Sequence, residues 1–493
     1  MAVRKKILLP VLAALGMQWA MAAVTDATMI VFNDSTFKPL SEVVNKGLPV
    51  LVVETVDHEE PTAEYVTHPA GCMGEGIRNA TKVPGRLQVY RVLDGVDSVL
   101  YDSGDYEKNI SGMTIKLRGN TSAYEDKKPY KIKLQKKFDL LFGDNDSIYK
   151  DKEWLLLRDD YQTTIAGLKV NQLVGMPWTP RYHYVNLIIN GIYRGTYLLC
   201  ESVKRNPHCR LNVDKTSGYI FECDPYWWNE DVYVSSSESP SYNYTFKYPD
   251  SDDILPEQLE YMTGLVNRYE QSIKDGTYPE MIDVASFARW CLVHDITGTK
   301  DSGGTNRFYT KYDTTDASLI VMPLAWDFDM SERTSSAWSK SHISHMTKFI
   351  NSTNRRFVSE FVEAWVKVRG SIVSSITDYL DDFRSSDEGK ALDASYSLNA
   401  LVYNNSLSVG NNVLWRNYWY SSRFSWLDNA IMTLNPLGDV NVDSKVDVSD
   451  VSLLINMVLG ASDYLPWAAD MDANGKLDVS DVSALINRIL GKN

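Results

Sequence analysis

Residues 294–331 of this 493-residue chain place carboxylates and an amide at spacings that suit a divalent cation and a phosphate group. Asp301 and Asn306 form a D-x-x-x-x-N pair after a helix-like stretch, and Asp327-Phe328-Asp329 follows one β-hairpin length later. Carboxylate and amide oxygens are hard donors that match Mg²⁺ or Mn²⁺. An Asp that orients an acceptor hydroxyl, an Asn that binds metal and a later Asp beyond a hairpin is an order used in phosphoryl transfer from ATP. On that reading Asp301 is the catalytic candidate, and Asn306, Asp327 and Asp329 are the cation ligands. The D-x-x-x-x-N pair alone is weak, and the ordered succession is the signal. Walker A, HExxH, GxSxG and GxGxxG patterns are all missing.

A second constellation ends the chain. DVSDVSLLINMVLG (447–460) recurs as DVSDVSALINRILG (478–491), a repeat with a period of 31 residues. Before each copy, oxygen-bearing side chains alternate. Asp439, Asn441, Asp443, Asp447 and Asp450 stand at loop positions 1, 3, 5, 9 and 12, and Asp470, Asp472, Asn474, Asp478 and Asp481 match them. With a backbone carbonyl at position 7, from Lys445 or Lys476, each loop offers the oxygen set that Ca²⁺ requires. Gly475 suits the sharp turn at position 6, whereas the first loop has Ser444 there, a departure that predicts a weaker first site. The apolar residues Val451, Leu454, Ile455 and Val458, like Val482, Leu485, Ile486 and Ile489, follow helical spacing. Two short helices packed on each other are expected.

Other elements must position these groups. GLPVLVVETVD (47–57), GRLQVYRVLDG (85–95) and Tyr130–Leu134 read as strands, and residues 27–118 as mostly strand. YVNLIINGIYRGTYLLCESV (184–203) reads as a hairpin turning on Asn190-Gly191. Residues 256–274 and 283–297 read as helices, the second capped by Asp283. Residues 307–329 read as a strand pair, and 354–384 and 411–433 as helices whose Trp365, Trp415, Trp419 and Trp426 fill a core.

Composition narrows the function. The net charge of −14 argues against nucleic acid as the main partner. Cys72, Cys200, Cys209, Cys223 and Cys291 form no CxxC metal motif, and one or two disulfides are compatible with them. Arg4, Lys5 and Lys6, the apolar run 7–16 and Ala20-Met21-Ala22 read as a signal peptide over residues 1–22. The expectation is a secreted or cell-surface protein with no transmembrane span after cleavage.

LRGNTSAYEDKKPYKIKL (117–134), NGIYRGTYLLCESV (190–203) and WDFD (326–329) together resemble the CotH family, atypical secreted protein kinases named for a spore-coat protein. The resemblance runs in order over roughly residues 45–430. It implies ATP with Mg²⁺ or Mn²⁺, Asp301 as catalytic Asp, Asn306 and Asp327 as metal ligands, and Asp329 nearby. It also implies that Arg118, Ser122 and Lys128 lie at a phosphate-binding turn and strand start, and that Lys131 or Lys133 meets the nucleotide. The strand alternation puts both lysines on one face, and a solvated face is the competing reading. Glu201 is the candidate acidic partner of a lysine or metal. Asn120-Thr121-Ser122 departs from the family's usual Asn-Ser-Ser but keeps a hydroxyl. The duplicated acidic loops resemble a type I dockerin. That resemblance implies two Ca²⁺ sites, a cohesin module as partner, and Val448, Ser449, Val479 and Ser480 as partner-specificity positions.

The expected class is α+β: an atypical protein-kinase-like body with a β-rich N-terminal part (24–118) and a core (119–433), then a small all-α dockerin (438–493). Three functions compete: a recruited phosphotransferase with an unknown protein or glycan acceptor; a dockerin-borne glycoside hydrolase in a cellulosome-like complex; and an idle structural or adhesive module. A glycosidase needs two carboxylates flanking a sugar cleft, and no glycosidase signature is present.

Overall fold

The computed structural model describes residues 25–93, 95–142, 147–239, 241–303, 306–332, 335–339, 346–460 and 467–492. The expected signal peptide at 1–22 lies outside them. The chain is mixed helix and sheet, β-rich toward its N-terminus and helical toward its C-terminus. It forms two compact units, each built from separated stretches: residues up to 162, 180–210 and 380–414 make the first, and 163–179, 211–379 and 415 onward the second.

The first unit is built on β1 (Val50–Thr55), β2 (Val83–Leu93), β3 (Met113–Leu117), β4 (Tyr130–Phe138), β5 (Asp151–Leu157), β6 (Tyr182–Ile189) and β7 (Ile192–Glu201). Their hydrogen-bonded order is β5-β4-β3-β2-β1-β6-β7, and β7 pairs back onto β5, closing a barrel. Only β1 and β6 run parallel within it. The pairing of β7 with β5 covers the edge that β5 would otherwise expose. Period-2 alternation decides what fills it: Leu51, Val53, Leu87, Val89, Ile115, Ile132, Trp154, Leu187 and Leu199 form one buried cluster. Strands β3 and β4 pair directly, so residue 118 marks no break in the sheet. The β6–β7 turn has Asn190 at φ 51 and Gly191 at φ 73, the left-handed pair that a two-residue hairpin requires.

The helices that position the remaining groups are α1 (Thr163–Val174), α2 (Pro256–Asp275), α3 (Val284–Thr297), α4 (Arg356–Val368), α5 (Ile372–Ser385), α6 (Asp387–Tyr403), α7 (Val409–Met432), α8 (Val448–Val458) and α9 (Val479–Ile489). In the second unit, β8 (Tyr219–Cys223), β9 (Tyr233–Ser235), β10 (Asn243–Tyr248), β11 (Arg307–Lys311) and β12 (Ile320–Val321) form a sheet ordered β9-β10-β8-β11-β12. The Asp283 carboxylate accepts from the Ser286 N–H at 3.1 Å, capping α3, and Gly298 ends that helix at φ 59. Helix α3 is apolar almost all round, with Phe287, Trp290, Cys291 and Leu292 buried, and it packs against α1 and α4. Trp365 and Trp419 are core residues as expected, but Trp415 on α7 is half exposed. All five cysteines are free thiols.

Candidate functional site

The β11–β12 hairpin and the turns beside it bring the second unit's site residues together. Asn306 enters β11 and donates through Nδ2 to Asp327 Oδ2 at 3.2 Å. Asn306 (φ 60), Asp327 (φ 66) and, further on, Glu332 (φ 62) all hold left-handed backbones. Such conformations cost about 1–3 kcal/mol each and persist only where the surroundings impose them. Asp327 is half buried, Asp329 is exposed, and Asp301 is exposed on the short 3₁₀ turn Lys300–Gly303.

The turn carrying Asp301 is stitched to the segment after Asp327. Lys300 N–H donates to Met330 O at 3.0 Å, and Glu332 N–H donates to Thr297 O at 2.8 Å. The Thr297 and Thr299 hydroxyls lie 2.7 Å apart, and those of Thr299 and Ser331 lie 3.0 Å apart, all buried. Glu332 is also ion-paired with Arg416 of α7 at 3.2 Å. Of the four candidates, Asn306 and Asp327 meet directly, and these backbone ties, which sequence order did not reveal, join the Asp301 turn to the stretch after Asp327.

Two residues of α1 support Asp327 from behind. Asn171 Nδ2 donates to Ala325 O at 2.8 Å, and Asn171 Oδ1 accepts from Ala325 N–H at 3.1 Å. Phe328 lies against Gly167, and its ring centroid is 5.9 Å from that of His294. His294 is fully buried beside Trp290, and neither ring nitrogen has a hydrogen-bond partner among the described residues. Burial pushes its pKa down to about 3, so the ring is neutral at pH 7. An isolated glycine inside the helical stretch 163–174 was the one sequence signal of this close approach.

The first unit holds the other candidates. Arg118 N–H donates to Pro129 O at 3.1 Å, closing the turn that contains Ser122. Lys128 Nζ donates to Ala123 O at 3.0 Å and lies over the Tyr65 ring. On the barrel's outer face, Glu153 of β5 sits opposite Lys133 in register. Its carboxylate meets Lys131 at 2.6 Å, Lys204 at 2.9 Å and Lys133 at 3.4 Å. Burial raises the Glu153 pKa, but Lys131 and Lys204 outweigh it and hold the carboxyl well below its usual range. Three ammonium groups against one carboxylate leave local positive charge suited to an anion.

Glu201 corrects an expectation. It is fully buried, and its carboxylate accepts from the Arg181 N–H at 2.9 Å and from the Arg181 guanidinium, which also binds Asp139. Its partner is therefore an arginine, because Glu201 continues the inward phase of Tyr197 and Leu199 while the lysines face outward. Glu153 meets the lysines in its place. Neither Glu153 nor Lys204 carried a sequence motif.

The C-terminal loops share one geometry. Asp439 accepts from the Asp443 and Ser444 N–H groups at 3.0 and 2.9 Å, and Asp470 accepts from Asn474 and Gly475 at 3.1 and 2.8 Å. Asp450 accepts from the Val440, Asn441 and Asp447 N–H groups, and Asp481 from those of Met471 and Asp478. Lys445 and Lys476 lie at position 7, their N–H groups bound by Asp443 and Asn474. Oxygens of Asp470, Asp472 and Asp481 lie within 4.8 Å of one another. That is about twice a calcium–oxygen distance of ~2.4 Å, so the donor set fits Ca²⁺. In the first loop the third position is Asn441, an amide oxygen in place of a carboxylate. Asp447 and Asp478 cap α8 and α9 and bind the Ser449 and Ser480 hydroxyls.

Leu454 and Leu485 are fully buried between α8 and α9. Ile455 and Ile486, expected at that contact, are 42% and 40% exposed instead. Two short helices crossing once bury a narrow stripe, and the i+4 neighbour falls outside it. Val448 and Val479 are each 69% exposed, and Leu459 and Leu490 are exposed too. The first loop also touches the body: Arg355 Nε donates to Val442 O at 3.2 Å, and Asn435 Nδ2 to Asp439 O at 2.7 Å.

Against known families, residues 115–362 match the CotH kinase protein family, and residues 437–490 match the dockerin type I domain. No curated protein matches the chain. No helix among the described residues is long and apolar enough to cross a membrane.

Proposed function

The chain belongs to the CotH kinase protein family and carries a type I dockerin domain, and on that premise we propose a secreted metal- and ATP-dependent phosphotransferase. In this reading, residues 1–22 are a cleaved signal, 24–433 an atypical kinase-like body, and 438–493 a calcium-binding module that recruits it to a cohesin-bearing scaffold. The acceptor is a protein or glycan. The observation that carries the catalytic part is the Asn306–Asp327 contact at 3.2 Å, between two left-handed residues separated by a hairpin.

Asn306 and Asp327 would hold the cation, with Asp329 nearby. A bound Mg²⁺ or Mn²⁺ supplies charge neutralisation for the transferred phosphoryl group. Asp301, exposed beside them in sequence, orients the acceptor hydroxyl and takes its proton. Within the first unit, taken by itself, Lys131, Lys133 and Lys204 present ammonium groups that suit a phosphate, and Glu153 sets their positions. Arg118, Ser122 and Lys128 line the neighbouring turn.

Recruitment rests on the repeated apolar residues at the surface of α8 and α9, which contain no His, Cys or Glu and so little to do chemistry with. Val448, Ser449, Val479 and Ser480 are the contact positions of that surface.

The test is calorimetric ATP binding beside autophosphorylation with labelled ATP. Asp327→Ala abolishes metal-dependent nucleotide binding. Asp301→Ala spares binding and lowers transfer by roughly 10²-fold or more, the scale of a lost general base. A wild type that binds no nucleotide with either metal overturns the phosphotransferase reading.

A further inference from the structure

The chain between β12 and Asp327 leaves a sheet while still buried. Met322 to Trp326 are all buried, yet beyond Val321 this stretch pairs with no strand among the described residues. Buried backbone polar groups must be paired, and two side chains and one main-chain N–H from outside the sheet do it here. The Ser286 hydroxyl accepts from Met322 N–H at 3.1 Å, and Trp178 N–H donates to Pro323 O at 3.0 Å. Asn171, fully buried on α1, takes both groups of Ala325. One amide thus replaces a strand at the position two residues before Asp327.

Four residues earlier on the same helix face stands Gly167. A Cβ there would lie 2.2 Å from Phe328 Cγ, so only glycine admits the ring. Phe328 is buried in contact with this notch and near the His294 ring. Asp327 is therefore fixed on both sides, at Ala325 by Asn171 and at Phe328 by Gly167. Between these two anchors the Asp327 backbone is left-handed, at φ 66.

We propose that α1 is a template for the Asp327 carboxylate, with Asn171 as its positioning residue and Gly167 as the notch that seats Phe328. The proposal rests on the reading of Asp327 as a cation ligand. Asn171 is bonded to the Ala325 main chain, two residues from Asp327. It acts through the backbone, so its loss should change affinity for metal more than it changes overall folding.

The experiment uses the full chain with Mn²⁺ and ATP as probes. Nucleotide affinity is measured as a function of Mn²⁺, and hydrogen exchange is followed over residues 322–330. Asn171→Leu keeps the branching at Cγ and the number of heavy atoms and removes both bonds. The expected result is at least tenfold weaker Mn²⁺-dependent binding and at least tenfold faster exchange in that segment. Val362→Ala, a buried change on α4, serves as a stability control and should leave Mn²⁺ dependence within twofold. Gly167→Ala provides a second route, since it favours the helix but displaces Phe328, and it should weaken Mn²⁺ dependence as well. Unchanged affinity in Asn171→Leu, or an equal loss in the stability control, overturns the template. A wild type that binds no Mn²⁺–ATP refutes the phosphotransferase reading instead, which is a different result.

Discussion

Replacing Ser444 with glycine should tighten the first calcium loop about two- to fivefold. Ser444 occupies the sixth loop position at φ 71, and Gly475 occupies the equivalent place at φ 76. Both backbones make the same left-handed turn, and only one carries a Cβ through it. A non-glycine residue there costs about 1–2 kcal/mol. Glycine gives back about 0.5–1 kcal/mol of that as backbone entropy lost on ordering. The remainder, about 0.5–1 kcal/mol, is a factor of roughly two to five in an equilibrium constant. Other contributions stay constant, because the Ser444 group that holds Asp439 is its N–H, at 2.9 Å, which glycine also has. The assay is calorimetric Ca²⁺ titration of the full chain in an Asp470→Asn, Asp481→Asn background that isolates the first loop. An unchanged or weaker constant would refute the link from turn conformation to affinity.

Two further outcomes test the electrostatics. Glu153→Gln should cost about 1–2 kcal/mol in urea unfolding, below the range for a fully buried pair because the three lysines are 22–51% exposed. The folded carboxyl titrates below its unfolded value, so the cluster contributes fully above about pH 4.3 and is lost as pH falls through the folded pKa. His294, with its pKa pushed down to about 3 by burial, is neutral when folded and protonated when unfolded below about pH 6.5. Stability should therefore fall by about 1.4 kcal/mol per unit as pH drops below 6.5. His294→Phe should flatten the decline in Tm between pH 6.5 and 5, and an identical slope in both proteins would show that another group governs it.

Features whose physics is local were legible from consecutive residues. The duplicated acidic loops are such a case, because their oxygen donors, turn and capping residues all fall within twelve positions and occur twice. The Asn190-Gly191 turn and the Asp283 cap are others, and the D-x-x-x-x-N pair and Asp327 could be ordered because a hairpin of readable length joins them. Contacts that depend on distant closure were not. Strand alternation put Lys131 and Lys133 on one face, but only the barrel register set Glu153 opposite them and turned Glu201 inward to Arg181. Helical spacing marked Ile455 and Ile486 as apolar, and the crossing of two short helices left them at the surface. Asn171 lies 154 residues from Ala325, and nothing in its neighbourhood specifies that partner. A backbone leaving a sheet inside a core must satisfy its polar groups with whatever side chain the packing delivers, and that choice belongs to the tertiary structure alone.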